Sequence, residues 1–359
     1  MPRNLQEGTL TSGLPQEFLA ILRCPVTGVP LALSPVAADV DPARQGWLLA
    51  VDGSAAYPVR DGIACLTAAD RIALTGGPGE AATDARRHAV QAFRDQIGWR
   101  QDATGAFHES GRFDDIRPVS AGYLHRCRAR LRRHLPRRGR FLLDCASGPI
   151  AFDEYLAYSQ GFARRICVDL SEVALRAARQ RLGGHGIYVL ADATRLPFAA
   201  ASMDAVLSLN TLFHVPAGEQ AQAMREFLRV VAPGAPVLVA YSWGDAAPLT
   251  RALIGAARRL HRLLRGRRPP AGAPSAAGGT ADPVLYFHSH GLDFFRSLGL
   301  GRRLRVACWK ALSAEVLRTY VRGPLSAALL LPLASAAETL LPGLMGRLGQ
   351  QPLLVLRSE

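Results

Sequence analysis

Three aspartates, Asp144, Asp169 and Asp192, each close an apolar run of strand-like composition: Phe141-Leu142-Leu143-Asp144, Ile166-Cys167-Val168-Asp169 and Ile187-Tyr188-Val189-Leu190-Ala191-Asp192. Short apolar runs separated by helix-length segments read as parallel strands of a β-α-β-α unit, and such sheets bind ligands at the carboxyl ends of their strands. The three carboxylates are therefore expected to face one crevice. The loop after the first run, Asp144-Cys145-Ala146-Ser147-Gly148-Pro149-Ile150, keeps a single glycine. A pyrophosphate favours Gly-x-Gly-x-x-Gly, because several backbone amides must approach it at a helix N-terminus. One close approach at Gly148 suits a ligand without phosphate, with Pro149 preset for a turn or a first helical position. His214, in Leu212-Phe213-His214-Val215-Pro216, is the best-placed candidate general base, although a histidine there also fits a packing role at the start of the next helix. Tyr123 and His125 precede the first strand and could also reach the crevice. His288-Ser289-His290 reads as a loop, since no further cluster lies nearby in sequence and zinc would need more ligands.

The elements that must position these residues alternate regularly. Strands are expected at 141–144, 166–169, 187–191, 205–209 and 237–241, with helices at 151–159, 172–182 and 218–231 between them. Ser171 is placed to cap the helix that starts at Glu172, and Gly234 ends the later one. Upstream, a short hairpin is expected from Trp47-Leu48-Leu49-Ala50-Val51 and Ala56-Tyr57-Pro58-Val59, with a tight turn at Arg60-Asp61-Gly62 and a strand at 64–66. A helix is expected at 84–97 and another at 122–135. Segment 251–268 reads as a basic amphipathic helix and 269–281 as a disordered Pro/Gly/Ala-rich stretch. Strands at 304–309 and 352–356, with apolar helices between them, close the chain.

Over roughly residues 120–245 the chain resembles the class I S-adenosylmethionine-dependent methyltransferases. Asp144-Cys145-Ala146-Ser147-Gly148-Pro149-Ile150 stands at the family's first motif, Asp-x-Gly-x-Gly-x-Gly, with Ala146 and Ile150 in place of its first and last glycines. The resemblance implies S-adenosyl-L-methionine as cofactor, held at Asp144, Ala146, Gly148, Asp169, Leu170, Asp192, Ala193 and Asn210. In it Asp169 accepts from the two ribose hydroxyls, Asp192 and the amide of Ala193 contact the adenine, and Asn210 lies beside the methionine end. Residues 17–70 resemble the small zinc-ribbon domains that activate tRNA and protein methyltransferases, on Leu22-Arg23-Cys24-Pro25 and Tyr57-Pro58-Val59-Arg60-Asp61-Gly62-Ile63. Thr27 stands where the second cysteine would be, so no zinc is expected.

The resulting expectation is an α/β fold: a doubly wound, mostly parallel, seven-stranded Rossmann-like sheet with a small N-terminal β module. Its parts are a tail at 1–16, the ribbon-like module at 17–70, a linker and capping helix at 71–120, and the cofactor core at 121–248. A basic helix and flexible insertion follow at 249–290, and C-terminal strands and apolar helices at 291–359. The expected activity is in-line methyl transfer to a small-molecule or lipid-like acceptor, which Tyr286, Phe287, Phe294 and Phe295 are available to enclose. An RNA methyltransferase and a non-catalytic scaffold are the alternatives. The formal charge of +14 permits nucleic acid as a partner. Lys310 is the only lysine, however, so the charge reflects a general bias toward arginine, and nucleic acid is not favoured. Six scattered cysteines without a Cys-x-x-Cys pair suggest a reduced, cytoplasmic setting. No signal peptide is apparent, and 325–344 is too interrupted by Pro332, Glu338 and Pro342 to read as a transmembrane segment.

Overall fold

The computed structural model describes residues 14–34, 44–74, 114–265, 286–300 and 304–357. The helix expected at 84–97 and the disordered stretch expected at 269–281 lie outside them.

The strands are β1 (Leu31–Ser34), β2 (Arg44–Ala50), β3 (Ala55–Arg60), β4 (Ile63–Cys65), β5 (Ile72–Ala73), β6 (Gly139–Cys145), β7 (Phe162–Asp169), β8 (Gly186–Leu190), β9 (Ala205–Leu209), β10 (Pro236–Ala240), β11 (Arg305–Lys310) and β12 (Gln351–Arg357). The helices are α1 (Gln16–Leu19), α2 (Pro118–Arg130), α3 (Asp153–Leu156), α4 (Glu172–Leu182), α5 (Gln220–Val230), α6 (Pro248–Arg265), α7 (Leu292–Phe295), α8 (Ala314–Tyr320), α9 (Pro324–Leu340) and α10 (Pro342–Leu348).

All the strands join one mixed sheet in the order β1-β2-β3-β4-β8-β7-β6-β9-β10-β12-β11, with β5 paired to β3. The expected sheet and the expected small N-terminal β module are thus one continuous mixed sheet. Among the described residues the sheet has twelve strands, joined by six antiparallel pairings and five parallel ones. The reason lies at β8, which would otherwise present an open edge of unpaired backbone groups. β4 covers that edge in parallel register, Ile63 opposite Tyr188 and Cys65 opposite Leu190. Further backbone bonds fasten the N-terminal segment: Arg23 N–H donates to Pro197 O at 2.8 Å and Ala199 N–H to Ile21 O at 2.8 Å. Phe18, Leu22, Leu48 and Tyr57 consequently share one buried cluster with Phe141, Ile166 and Val189.

The helices form where periodicity and caps agree. α4 starts at Ser171, whose hydroxyl accepts from Ala174 N–H at 3.1 Å, and stops at Gly183, a glycine at φ +53°. α5 buries Gln220, Ala223, Met224, Phe227 and Val230 along one face, each large apolar side chain contributing about 1.5–3 kcal/mol. The segment expected as one helix at 151–159 is instead the single turn of α3 followed by a 3-10 turn at Ala157–Ser159.

Candidate functional site

The carboxyl ends of β6, β7, β8, β9 and β10 lie side by side. Asp144 pairs with Cys167 in the β6–β7 register, so Asp144 and Asp169, two residues beyond Cys167, project from the same face of the sheet. Their carboxylates are differently engaged. Asp144, 2% exposed, forms an ion pair with the fully buried Arg165, whose Nε donates to its Oδ2 at 3.1 Å. Burial works against the Arg165 charge, yet the adjacent Asp144 carboxylate holds the guanidinium above its ordinary pKa. Asp144 thus serves Arg165 instead of presenting a third carboxylate to an open crevice. Arg165 directly precedes the apolar run that begins at Ile166, so the run alone does not reveal it. Its signal was an arginine next to a buried run, which demands a counter-charge.

Asp169 is equally buried but is held by the backbone. Its Oδ2 accepts from Gly148 N–H and its Oδ1 from Ser171 N–H, each at 2.9 Å. The carboxylate at the tip of β7 therefore clamps the loop that follows β6. In that loop Ala146, Gly148 and Ile150 adopt φ of +57°, +56° and +56°. Two of these positions carry side chains that disfavour the left-handed region, Ile150 most of all. The Ile150 side chain is fully buried with Cys167, Leu175, Tyr188 and Leu190, between α4 and the sheet. Leu170 is half-buried just beyond the β7 tip.

Asp192 lies beyond β8. Its Oδ1 accepts from Thr194 N–H and from the Thr194 hydroxyl, both at 2.8 Å, which fixes a turn in which Asp192 and Ala193 are half-buried and Thr194 is buried. Asn210, beyond β9 at φ +55°, accepts from Gln351 Nε2 at 3.2 Å and is tied to β12. Cys145, beside the three aspartates, has its thiol pushed well up by burial and then by their charges. It remains a neutral core group.

His214 is 7% exposed, its Nδ1 lying 2.7 Å from Tyr286 O. A carbonyl only accepts, so Nδ1 carries the proton and Nε2 is the basic nitrogen of the neutral ring. Segment 286–290 is stitched across the ends of β9 and β10: His288 N–H donates to Phe213 O at 2.8 Å, His290 N–H to Tyr241 Oη at 2.9 Å, and Gln220 Nε2 to His288 O at 2.9 Å. Around it Phe213 meets Tyr241 and Phe287, Tyr241 meets Phe295, and His290 stacks on Phe294 at 3.8 Å. Of the expected acceptor lining, Phe287 and Phe294 stay accessible, whereas Phe295 is core. Tyr123 and His125 lie elsewhere: the Tyr123 hydroxyl donates to Glu338, and His125 Nδ1 pairs with Glu154 at 2.9 Å. A cavity of about 260 Å³ opens beside this wall, among Trp243, His290, Leu292 and Arg347. Another, of about 750 Å³, lies among residues 23–28, 194–200 and Gln222, Glu226 and Arg229 of α5. Among the described residues no group of three or more His, Cys, Asp or Glu could hold a metal ion.

Comparison with known proteins bears on this geometry. Residues 143–239 match the family described as "Methyltransferase domain". An uncharacterized methyltransferase of Mycobacterium leprae is 33% identical over 200 residues, which cover 52% of this chain and 70% of that protein. One of Mycobacterium tuberculosis is 36% identical over 143 residues, 38% of this chain and 54% of that protein, so the chain spans about half of that relative's length. Among solved structures, geranyl diphosphate C-methyltransferase from Streptomyces coelicolor is similar with a TM-score of 0.47 and 14% identity, covering 78% of this chain and 100% of that one. Phosphoethanolamine N-methyltransferase 1 of Haemonchus contortus has a TM-score of 0.46 and 12% identity, covering 77% of this chain and 50% of that one.

Proposed function

Because the chain belongs to the S-adenosylmethionine-dependent methyltransferases, we propose that it transfers a methyl group to a small-molecule or lipid-like acceptor at the carboxyl ends of β6–β10. The observation that carries this reading is the β6 loop. It keeps left-handed backbone at 146, 148 and 150 although Ala and Ile occupy two of those positions, and Asp169 pins its centre. Strain held in place by surrounding structure is a mark of functional backbone.

The residues fit the cofactor by the chemistry of their donors. Asp169 is the acceptor for two vicinal ribose hydroxyls, the Asp192–Ala193 turn borders the adenine, and Gly148 allows close approach of the loop without a phosphate cradle. When bound, the cofactor supplies an electrophilic sulfonium methyl. Arg165 keeps Asp144 paired and the floor of the site rigid. Phe213, Phe287 and Phe294 exclude water from the acceptor side, and holding the reactants in line is worth about 7–11 kcal/mol in favourable cases. His214 Nε2, oriented by the Tyr286 carbonyl, takes a proton from the acceptor, a contribution of about 10²- to 10⁴-fold. We read β8-β7-β6-β9-β10-β12-β11 as the seven-stranded cofactor core and β1–β5 as a ribbon-derived extension. Six buried free cysteines support a cytoplasmic setting.

Isothermal calorimetry with S-adenosylmethionine and S-adenosylhomocysteine tests the proposal. Both ligands are expected to bind, and Asp169→Ala to bind S-adenosylhomocysteine about 10- to 100-fold more weakly, the worth of hydrogen bonds to a charged acceptor. No heat with either ligand, or unchanged affinity in a folded Asp169→Ala protein, refutes it.

A further inference from the structure

Among the described residues nothing covers the outer face of α9 and α10. Leu325, Leu329, Leu333 and Leu340 are 61–77% exposed, and Leu341 and Leu344 are half exposed. From 323 to 346 the only charged residue is Glu338, which is fully buried and turned inward onto Arg130, Tyr123 and Ala311 N–H. The outer face is therefore apolar without interruption by charge. Its ends are basic, with Arg322 exposed before α9 and Arg347 exposed on α10. The neighbouring α6 repeats the pattern: Leu260, Leu263 and Leu264 are exposed beside exposed Arg258, Arg259 and Arg262. α6 is joined to α8, which leads directly into α9, by the Tyr320 hydroxyl donating to Leu253 O at 2.6 Å and by Arg258 facing Glu315 at 3.7 Å.

We propose that α6 and the α9–α10 face form a peripheral docking surface for an anionic lipid bilayer, with leucines in the acyl boundary and arginines on the lipid phosphates. Exposed leucines interleaved with arginines are what an interfacial helix presents, and the long arginine side chains reach from an apolar surface to the headgroups. A second copy of the chain is a poorer occupant, because a two-fold pairing of this face would set its arginine-bearing ends against arginines. The proposal is for docking on the bilayer: no single described helix is long and apolar enough to span, and α9 and α10, which reach that length only as a pair, are bent by 112°. This inference does not depend on the methyl-transfer reading.

Flotation of the full chain with vesicles tests it, using equal parts phosphatidylcholine and phosphatidylglycerol against phosphatidylcholine alone. Binding is expected to the anionic vesicles and to fall as salt rises. Leu329→Glu/Leu333→Glu, both exposed, is expected to weaken it at least about tenfold, and Arg258→Ala/Arg259→Ala/Arg262→Ala about 100-fold, with far-UV circular dichroism and the melting temperature unchanged. Absence of binding to anionic vesicles at low salt overturns the proposal, as does equal binding by the folded leucine variant. A wild-type dimer that the leucine variant dissociates, without vesicle binding, assigns the face to self-association instead.

Discussion

Ile150 occupies left-handed backbone that a β-branched residue avoids, at a cost of about 1–2 kcal/mol. Its side chain is fully buried, and emptying such a site costs about 2–5 kcal/mol. Burial is the larger effect, so Ile150→Gly is expected to destabilise the protein by up to about 4 kcal/mol in urea unfolding even though the backbone strain is relieved. Ala146 has the same backbone sign but is only half-buried, with a single methyl to lose. Relief outweighs the added chain entropy of glycine there, and Ala146→Gly is expected to stabilise by up to about 1 kcal/mol in the same measurement. If both substitutions shift stability in the same direction, packing and backbone strain have been weighed wrongly. The spacing of 146, 148 and 150 was visible in the chain as motif positions. Their backbone conformation was not, because alanine and isoleucine carry no local preference for positive φ.

At the scale of elements, α9 runs from Pro324 to Leu340 through Pro332, although the proline removes a backbone donor in mid-helix. What holds it is the Glu338 network on its inner face: Arg130 Nη2 at 2.9 Å, the Tyr123 hydroxyl at 2.6 Å and Ala311 N–H at 2.7 Å. Glu338→Ala would leave Arg130 buried without its counter-charge and is expected to cost about 3–5 kcal/mol. A loss below about 1 kcal/mol in denaturant titration would show that the network does not anchor the helix. The apolar composition of this helix was legible. That its one acidic residue faces inward, leaving the leucines outward, follows only from the partners on α2, which precedes it by some 200 residues.

At the scale of the whole molecule, Lys310, the chain's one lysine, is 3% exposed and joins β11 to Asp114, which also meets Arg128 of α2 at 2.9 Å. Burial raises the Asp114 pKa, but Lys310 and Arg128 lower it further, and the carboxyl is held below its ordinary value. A folded pKa beneath the unfolded one stabilises the protein fully above the unfolded value of about 3.9, and that contribution fades as pH falls through the folded value. Asp114→Asn is expected to lose stability at about pH 7 and to flatten the acid limb, so that wild type and variant converge as pH falls through the folded value. Parallel urea titrations along that range would expose an unaltered slope. Sequence alone determined the alternation of strands and helices, the aspartates at the strand tips and the Ser171 cap, because each rests on periodicity or on contacts within a few residues. Only the tertiary structure decided that β4 completes the β8 edge, that Arg165 occupies Asp144, and that segment 286–290 closes over His214. Each of these joins groups distant along the chain, and a linear pattern records which face is apolar but not what will meet it.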